Sequence, residues 1–157
     1  MRVTVLGNPD RYLAPFSHED ARRAFEAVAG EVERGDRVLL AAFAGGEVVG
    51  TVQVATAMQP NSPHRAEIAQ LLVHRRARGR GIAKLLMARA EQEARAEGKT
   101  LLVLDTVSGD PAERLYERLG WNRVGVIPGY ALYPDGRPCD TTVFWKSLTG
   151  ADSREVG

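Results

Sequence analysis

The sequence predicts an α/β fold of the α+β kind, a mixed sheet with helices packed against it. Three observations predict it. Apolar strand segments and amphipathic helical segments follow one another in the order helix, hairpin, strand, helix, strand, helix, strand, strand. The run Leu101-Leu102-Val103-Leu104 is apolar without alternation, as in a strand buried on both faces. A helical segment joins that run to the preceding strand, which makes a strand–helix–strand crossover. A chain of 157 residues, 44% apolar and 26% charged, suits one domain with a sizeable core, here assigned to residues 1–149.

Each element has its own signal. After a short apolar start, Val3 to Leu6, come the turn residues Gly7, Asn8 and Pro9. Ser17 opens a helix with Asp20 three residues on, an imperfect capping box, and Ala24, Phe25, Val28 and Val32 form its apolar stripe before Gly35 ends it. Residues 37–44 and 48–57 are strands joined by Gly45-Gly46, a tight hairpin. Residues 66–73 form the next strand. The helix at 81–97 places Ile82, Leu85, Leu86 and Ala90 on one face and stops at Gly98. The apolar strand spans 100–107. Pro111 suits the first turn of a further helix that runs through Leu115 and Leu119 and closes at Gly120. Strands at 123–127 and 141–148 finish the domain, separated by a long Gly/Pro/Tyr loop, and residues 150–157 read as a frayed polar tail.

Composition excludes several classes. The net charge of +1 provides no overall field towards nucleic acid or an anionic membrane, so neither partner is expected. The single cysteine, Cys139, permits no intrachain disulfide and points to a reducing compartment. His18, His64 and His74 lack metal-ligand spacing, and no metal is expected. No apolar run approaches the ~20 residues of a membrane span, and no long apolar stretch opens the chain. The expected location is cytoplasmic.

Chemistry concentrates in Arg76-Ala77-Arg78-Gly79-Arg80-Gly81, between a strand and a helix. Gly79 and Gly81 let the backbone turn sharply and approach a ligand. The unpaired N–H groups and dipole of the following helix favour an anion, and the arginines add charge that pairs with phosphates. Diphosphate is the natural ligand of such a nest. The loop is neither G-x-G-x-x-G nor a Walker loop. A solvated arginine turn and an RNA-binding patch are the competing readings.

With these motifs the segment 66–148, about half the chain, resembles the GNAT superfamily of acyl-CoA N-acyltransferases. Arg76-x-x-Gly79-x-Gly81 matches the family's [QR]-x-x-G-x-[GA] signature, and Ala112, Tyr116, Gly120 and Trp121 match A-x-x-x-Y-x-x-x-G-[FW]. Arg65-Ala66-Glu67, Leu104-Asp105-Thr106, Gly129-Tyr130 and Pro134-Asp135-Gly136-Arg137 resemble its tabtoxin-resistance branch, whose enzymes acetylate a small amine-bearing toxin.

The resemblance implies a GNAT fold, with a mostly antiparallel twisted sheet of six or seven strands and helices on both faces. It implies acetyl-CoA as cofactor and acetyl transfer to a primary amine of a small molecule. A protein N-terminal or lysine acetyltransferase and an inactive acyl-CoA-sensing domain are the alternatives. By the same resemblance the cofactor is held by Arg76, Ala77, Arg78, Gly79, Arg80, Gly81 and Ile82. The backbone of Leu72 and Val73 extends the sheet to the pantetheine, their side chains being core, and Ala112 leaves room for it. Tyr116 acts as general acid. Gly109 stands where the family often has Asn, which passes the polar contacts to Ser108 or Asp110. Glu67 and Asp105 are the candidate bases and contacts for the amine, Asp105 because ligands gather beyond the carboxyl ends of parallel strands. Tyr130, Tyr133, Asp140 and Thr141, in the C-terminal loop, are candidates to shape the amine pocket. Only about sixteen residues precede the first helix, where the family begins with a strand and a helix flanking the substrate. The amine site is therefore unusually open, or covered by a partner chain such as a second copy in a homodimer, or the start lies upstream.

Overall fold

Gly45 and Gly46 both adopt positive φ, 58° and 82°, and this turn folds β2 (Arg37–Ala44) back on β3 (Glu47–Ala55). The structure, a computed structural model, describes residues 2–5 and 18–149, with side chains from residue 26 onward. The Ser17 cap and the 150–157 tail lie outside the described residues. The short apolar start is a strand, β1 (Arg2–Val5), paired antiparallel with β2. A strand therefore does precede the first helix, α1 (His18–Glu33).

Next come β4 (Arg65–Val73), α2 (Ile82–Ala96), β5 (Leu101–Val107), α3 (Ala112–Arg118), β6 (Asn122–Leu132) and β7 (Pro138–Ser147). One seven-stranded sheet results, in the order β1-β2-β3-β4-β5-β7-β6. Every neighbouring pair is antiparallel except β4 and β5, joined by the crossover through α2.

Strand alternation sends the helices to opposite faces. Leu39 and Ala41 meet Val28 and Val32 of α1. Leu40, Ala42, Val52, Val54, Leu102, Leu104 and Phe144 form the main core with Ile82, Leu86, Met87 and Ala90 of α2 and Tyr116 of α3. Lys146 fixes the spacing of the last two helices, since its Nζ donates to Glu91 of α2 at 2.8 Å and to the Leu119 carbonyl at the end of α3 at 2.7 Å.

Two departures from the sequence reading matter for the site. The expected loop between the last strands is mostly strand: β6 and β7 extend towards each other and leave only residues 133–137 as a turn. The glycine and proline that suggest a loop sit in a register shift between Ile127 and Ala131, where Pro128 needs no ladder N–H and the Asp140 carboxylate accepts the Gly129 N–H at 2.9 Å. Tyr130, Asp140 and Thr141 are thus strand residues, and Tyr133 begins the turn.

The second departure is in β4. Gln70, with φ +53°, makes a bulge, and the register with β3 shifts between Thr51 and Gln53. Ala66 and Ile68 face the α2 core before it, and Leu71 and Val73 after it. The parity flips, and Leu72 is turned out to the opposite face, 47% exposed. Its side chain is not core.

Candidate active site

β4 and β5 are hydrogen-bonded neighbours over Arg65↔Leu101, Ala66↔Leu102 and Glu67↔Val103 only. Beyond Glu67 the strands part, β5 continuing on β7 and β4 bulging towards β3. A wedge opens between two parallel strands, its vertex at Glu67 and Val103 and its mouth at the carboxyl ends. Such a wedge leaves backbone donors and acceptors of the 68–73 segment without a strand neighbour on the β5 side, ready to pair with an extended ligand.

A cavity of about 520 Å³ lies at the mouth. It is lined by Val73, by Ala77, Arg78, Gly79 and Gly81 of the loop, by the first turn of α2, and by Pro111, Ala112, Leu115, Arg118 and Leu119 along α3. The loop is held from within. Residues 75–77 form a 3₁₀ turn capped by His74, whose Nδ1 accepts the Arg76 N–H at 3.1 Å, and Ala77 is buried as its anchor. Arg78 Nε reaches the Val73 carbonyl at 3.4 Å.

Gly79 and Gly81 sit at φ +79° and +76°, where a Cβ would be strained. Gly81 is the N-cap of α2, and neither a side-chain cap nor an acidic residue occupies its first turn. The helix therefore presents uncompensated N–H groups to the cavity. These features fit a diphosphate: an uncapped helix start, a glycine-shaped nest and arginines beside it.

The carboxylates lie at the other end of the wedge. Glu67 and Asp105 share one face of the sheet, opposite to α2. Burial raises the Glu67 pKa above its ordinary value, and the Asp105 charge raises it further, against the opposing pull of Arg37 and Arg65. Arg37 is occupied by Glu31 and by Gln53 at 3.0 Å. Asp105 is exposed.

Tyr116 approaches from the helical face, buried against Phe144 at 5.6 Å between ring centroids and Trp121 at 6.1 Å. Phe144 pairs with Leu104, which places Tyr116 above the strand whose other face carries Asp105. Burial pushes its phenol up to about 12, with the Asp110 charge adding to the shift, so the hydroxyl keeps its proton at neutral pH.

The remaining sequence candidates divide. Gly79, Gly81, Arg78, Ala77, Ile82, Ala112 and Val73 line the cavity. Arg76 and Leu72 instead border a second hollow of about 730 Å³ that also touches Phe43, Val48 and His74, and Arg80 is exposed outside both. Ser108 is engaged with Thr142, Oγ to Oγ1 at 2.8 Å, and Asp110 accepts the Ala112 N–H at 2.8 Å as a cap for α3. Thr141 is buried beside Val107, on the carboxylate face. Tyr130 is 58% exposed, and Tyr133 stacks under Arg137 at 5.2 Å. Lys84 and Arg118 line the cavity and escaped the sequence reading. Both lie on helices whose apolar stripes draw attention to other positions.

A family model for the acetyltransferase (GNAT) family matches residues 8–121. The chain belongs to that family, whose enzymes use acetyl-CoA. An acetyltransferase of Agrobacterium fabrum is 46% identical over 57 residues, 36% of this chain and 41% of that protein, so the match spans about two fifths of the relative. Solved structures share the fold. A ribosomal-protein-alanine N-acetyltransferase from Brucella melitensis aligns over 82% of this chain and 78% of its own at 24% identity, TM-score 0.71. The Salmonella typhimurium protein yncA, solved with its cofactor acetyl-CoA, aligns over 88% and 79% at 22% identity, TM-score 0.71. An aminoglycoside 6′-N-acetyltransferase complexed with coenzyme A aligns over 94% and 97% at 16% identity, TM-score 0.70. Among the described residues no helix is long and apolar enough to cross a membrane.

Proposed function

We propose that this chain, as a single catalytic domain over residues 1–149, transfers acetyl from acetyl-CoA to a primary amine of a small molecule. The observation that carries the reading is the wedge itself. Its mouth is a cavity with the features that suit a diphosphate, and its vertex holds two neighbouring carboxylates with no cation of the described residues within ion-pair distance.

The loop Arg76–Gly81 and the start of α2 at Ile82 would hold the diphosphate, the backbone of Leu72 and Val73 the pantetheine amides, and Ala112 leaves room beside them. Ser108 and Asp110 stand at the same end of β5 for further polar contacts. When bound, the thioester supplies the acetyl group. The chain's own residues move protons. An alkyl ammonium has a pKa near 10 and must be deprotonated before it is a nucleophile. Glu67, with its raised pKa, takes that proton directly or through one water, and Asp105 attracts the ammonium to the vertex. The Tyr116 hydroxyl is a protonated donor on the other face, suited to the sulfur leaving group. Thr141 and Tyr130 border the acceptor side, while Asp140 holds the bulge that shapes it and Tyr133 closes the turn beyond.

The test is acetyl-CoA-dependent thiol release with the purified chain over a panel of small primary amines, with mass spectrometry of the product. Turnover with a small amine carries the reading. Binding of acetyl-CoA without turnover on any amine, or turnover on peptide N-termini alone, overturns it.

A further inference from the structure

The half-buried cations among the described residues are Arg37, Arg65, Arg89, Lys99 and Lys146. All but one are satisfied. Arg37 holds Glu31 and Gln53, Arg89 holds Glu93, Lys146 holds Glu91 and the Leu119 carbonyl, and Lys99 sits on the Thr56 and Pro63 carbonyls. Arg65 has neither a hydrogen bond nor an ion pair, and its Nε is sealed from water with no acceptor. Other unpartnered cations, Arg76, Arg114 and Arg118 among them, are exposed, so water satisfies them. A half-buried guanidinium with an orphaned donor costs stability unless something outside the chain pairs with it.

Its place in the sheet says what that partner is. β4 sends Ala66 and Ile68 into the α2 core, so Arg65 and Glu67 point to the opposite face. Alternate strand residues stand roughly 7 Å apart, which sets the cation one step from the carboxylate, on the side away from the wedge mouth. Cross-strand partners share a face: Val103 lies opposite Glu67, Trp145 opposite Val103, and Val143 opposite Asp105. These three apolar side chains are half-buried and floor the space beside the charges. The face therefore carries an order: Arg65, then the carboxylates of Glu67 and Asp105, then the mouth. The Arg65 charge reaches Glu67 without an ion pair between them. An ammonium at the two carboxylates leaves Arg65 for another group of the same molecule, and a planar guanidinium matches a carboxylate. A second ammonium there would meet a like charge.

We propose that Arg65 is the anion-binding residue of the acceptor site, and that the acceptor is a primary amine that also carries a carboxylate. Its ammonium lies at Glu67 and Asp105 and its carboxylate on Arg65, pointing away from the thioester. The inference rests on the acetyl-transfer reading above and narrows its substrate class: aminocarboxylates are taken, and polyamines are refused.

The experiment measures kcat/KM for two matched series, L-leucine with L-leucinamide and 3-methylbutylamine, and 4-aminobutanoate with 4-aminobutanamide and 1,4-diaminobutane. The readout is the carboxylate-to-amide ratio compared between wild type and variants, in which differences of amine basicity cancel. In at least one series the wild type should favour the carboxylate by at least on the order of tenfold, as one charge-assisted contact implies. Arg65→Gln should bring the ratio to within about twofold of unity relative to the neutral amide, Arg65→Lys should keep part of the preference, and Arg65→Glu should turn it towards 1,4-diaminobutane. Titration of Arg65→Gln with acetyl-CoA should give the wild-type affinity, which shows the fold and the cofactor cavity intact. A wild type that acetylates amines without preference for a carboxylate overturns the inference, as does a preference that survives in Arg65→Gln. A wild type that binds acetyl-CoA and acetylates no primary amine overturns the acetyl-transfer reading itself, a failure distinguishable from the other two.

Discussion

Gly50→Ala tests how tightly the start of α2, proposed above to hold the diphosphate, is set against the sheet. Gly50 lies on β3 opposite Val73, on the core face. A Cβ there would stand 3.0 Å from Ile82 Cγ2, 3.0 Å from Leu86 Cδ1 and 3.1 Å from the Leu72 carbonyl oxygen. The two methyl contacts lie at the limit that real side chains show, and the third neighbour is backbone, which cannot rotate away. Relief requires α2 to lift from β3, or β4 to shift at Leu72. Overpacking of one methyl in a close-packed core costs about 1–3 kcal/mol, which for a domain of this length lowers Tm by about 2–12 °C. The displaced parts are those assigned to the cofactor, Ile82 at the start of α2 and Leu72 on β4. Acetyl-CoA affinity should therefore fall about tenfold, more than a global destabilisation of a still-folded protein would cause. The assays are differential scanning calorimetry and titration with acetyl-CoA at a temperature well below the transition. Wild-type Tm and wild-type affinity together would refute the packing argument. A lowered Tm with unchanged affinity would detach Gly50 from the cofactor site.

Other perturbations separate the roles. Tyr116→Phe keeps the ring contacts with Phe144 and Trp121, so Tm should hardly move, while kcat should fall on the order of 10²-fold with acetyl-CoA binding retained; an unchanged kcat removes Tyr116 from the chemistry. Glu67 has a folded-state pKa above its unfolded value, so the stability tied to it is present below about pH 4.5 and lost as pH rises through the raised pKa. Glu67→Gln should accordingly melt higher than the wild type at neutral pH, lose that advantage in acid, and abolish the acidic limb of the pH–rate profile; an unaltered limb would transfer the base role to Asp105. Glu113 behaves oppositely. Its pKa is lowered by the hydrogen bond from Thr142, with Gly109 and Arg123 assisting, so its stabilisation is present above the ordinary carboxylate range and lost as pH falls through the lowered pKa. Glu113→Gln should lower Tm at neutral pH by an amount that shrinks towards acid; a constant difference across pH would contradict it.

Most of the frame was legible because the helices and central strands carry clean periods. The stripe of Ile82, Leu86 and Ala90, the apolar run of β5 and the glycine turn at 45–46 each specify an element locally, and the loop at 76–81 stands out by residue type as a candidate anion nest. The bulge was not legible. Nothing in Ala69-Gln70-Leu71-Leu72 marks a residue that will take φ +53°, and regular alternation puts Leu72 in the core when it faces out. That one inserted residue bends β4 away from β5 and opens the wedge, so the feature that creates the site is the one the pattern hides. The β6–β7 extension was hidden for the opposite reason: Pro128 and Gly129 read as a loop, while the ladder resumes beyond them at Ala131 and Cys139 and the hydrogen bond from Gly129 to Asp140 spans the irregularity. Lys84 and Arg118 are brought to one cavity by the placement of α2 and α3, which their local sequence does not reveal.

The central claim is that acetyl-CoA lies in the wedge with its diphosphate on the start of α2. Amide chemical shifts of the isotopically labelled chain, followed through a titration with acetyl-CoA, test it most directly. The account predicts that the largest saturable shifts fall on the amides of residues 79–85, on those of Leu72 and Val73, and along the cavity-lining positions of α3, while β1 and β2 stay still. Largest shifts elsewhere in the fold, or no shift at millimolar acetyl-CoA, would contradict it.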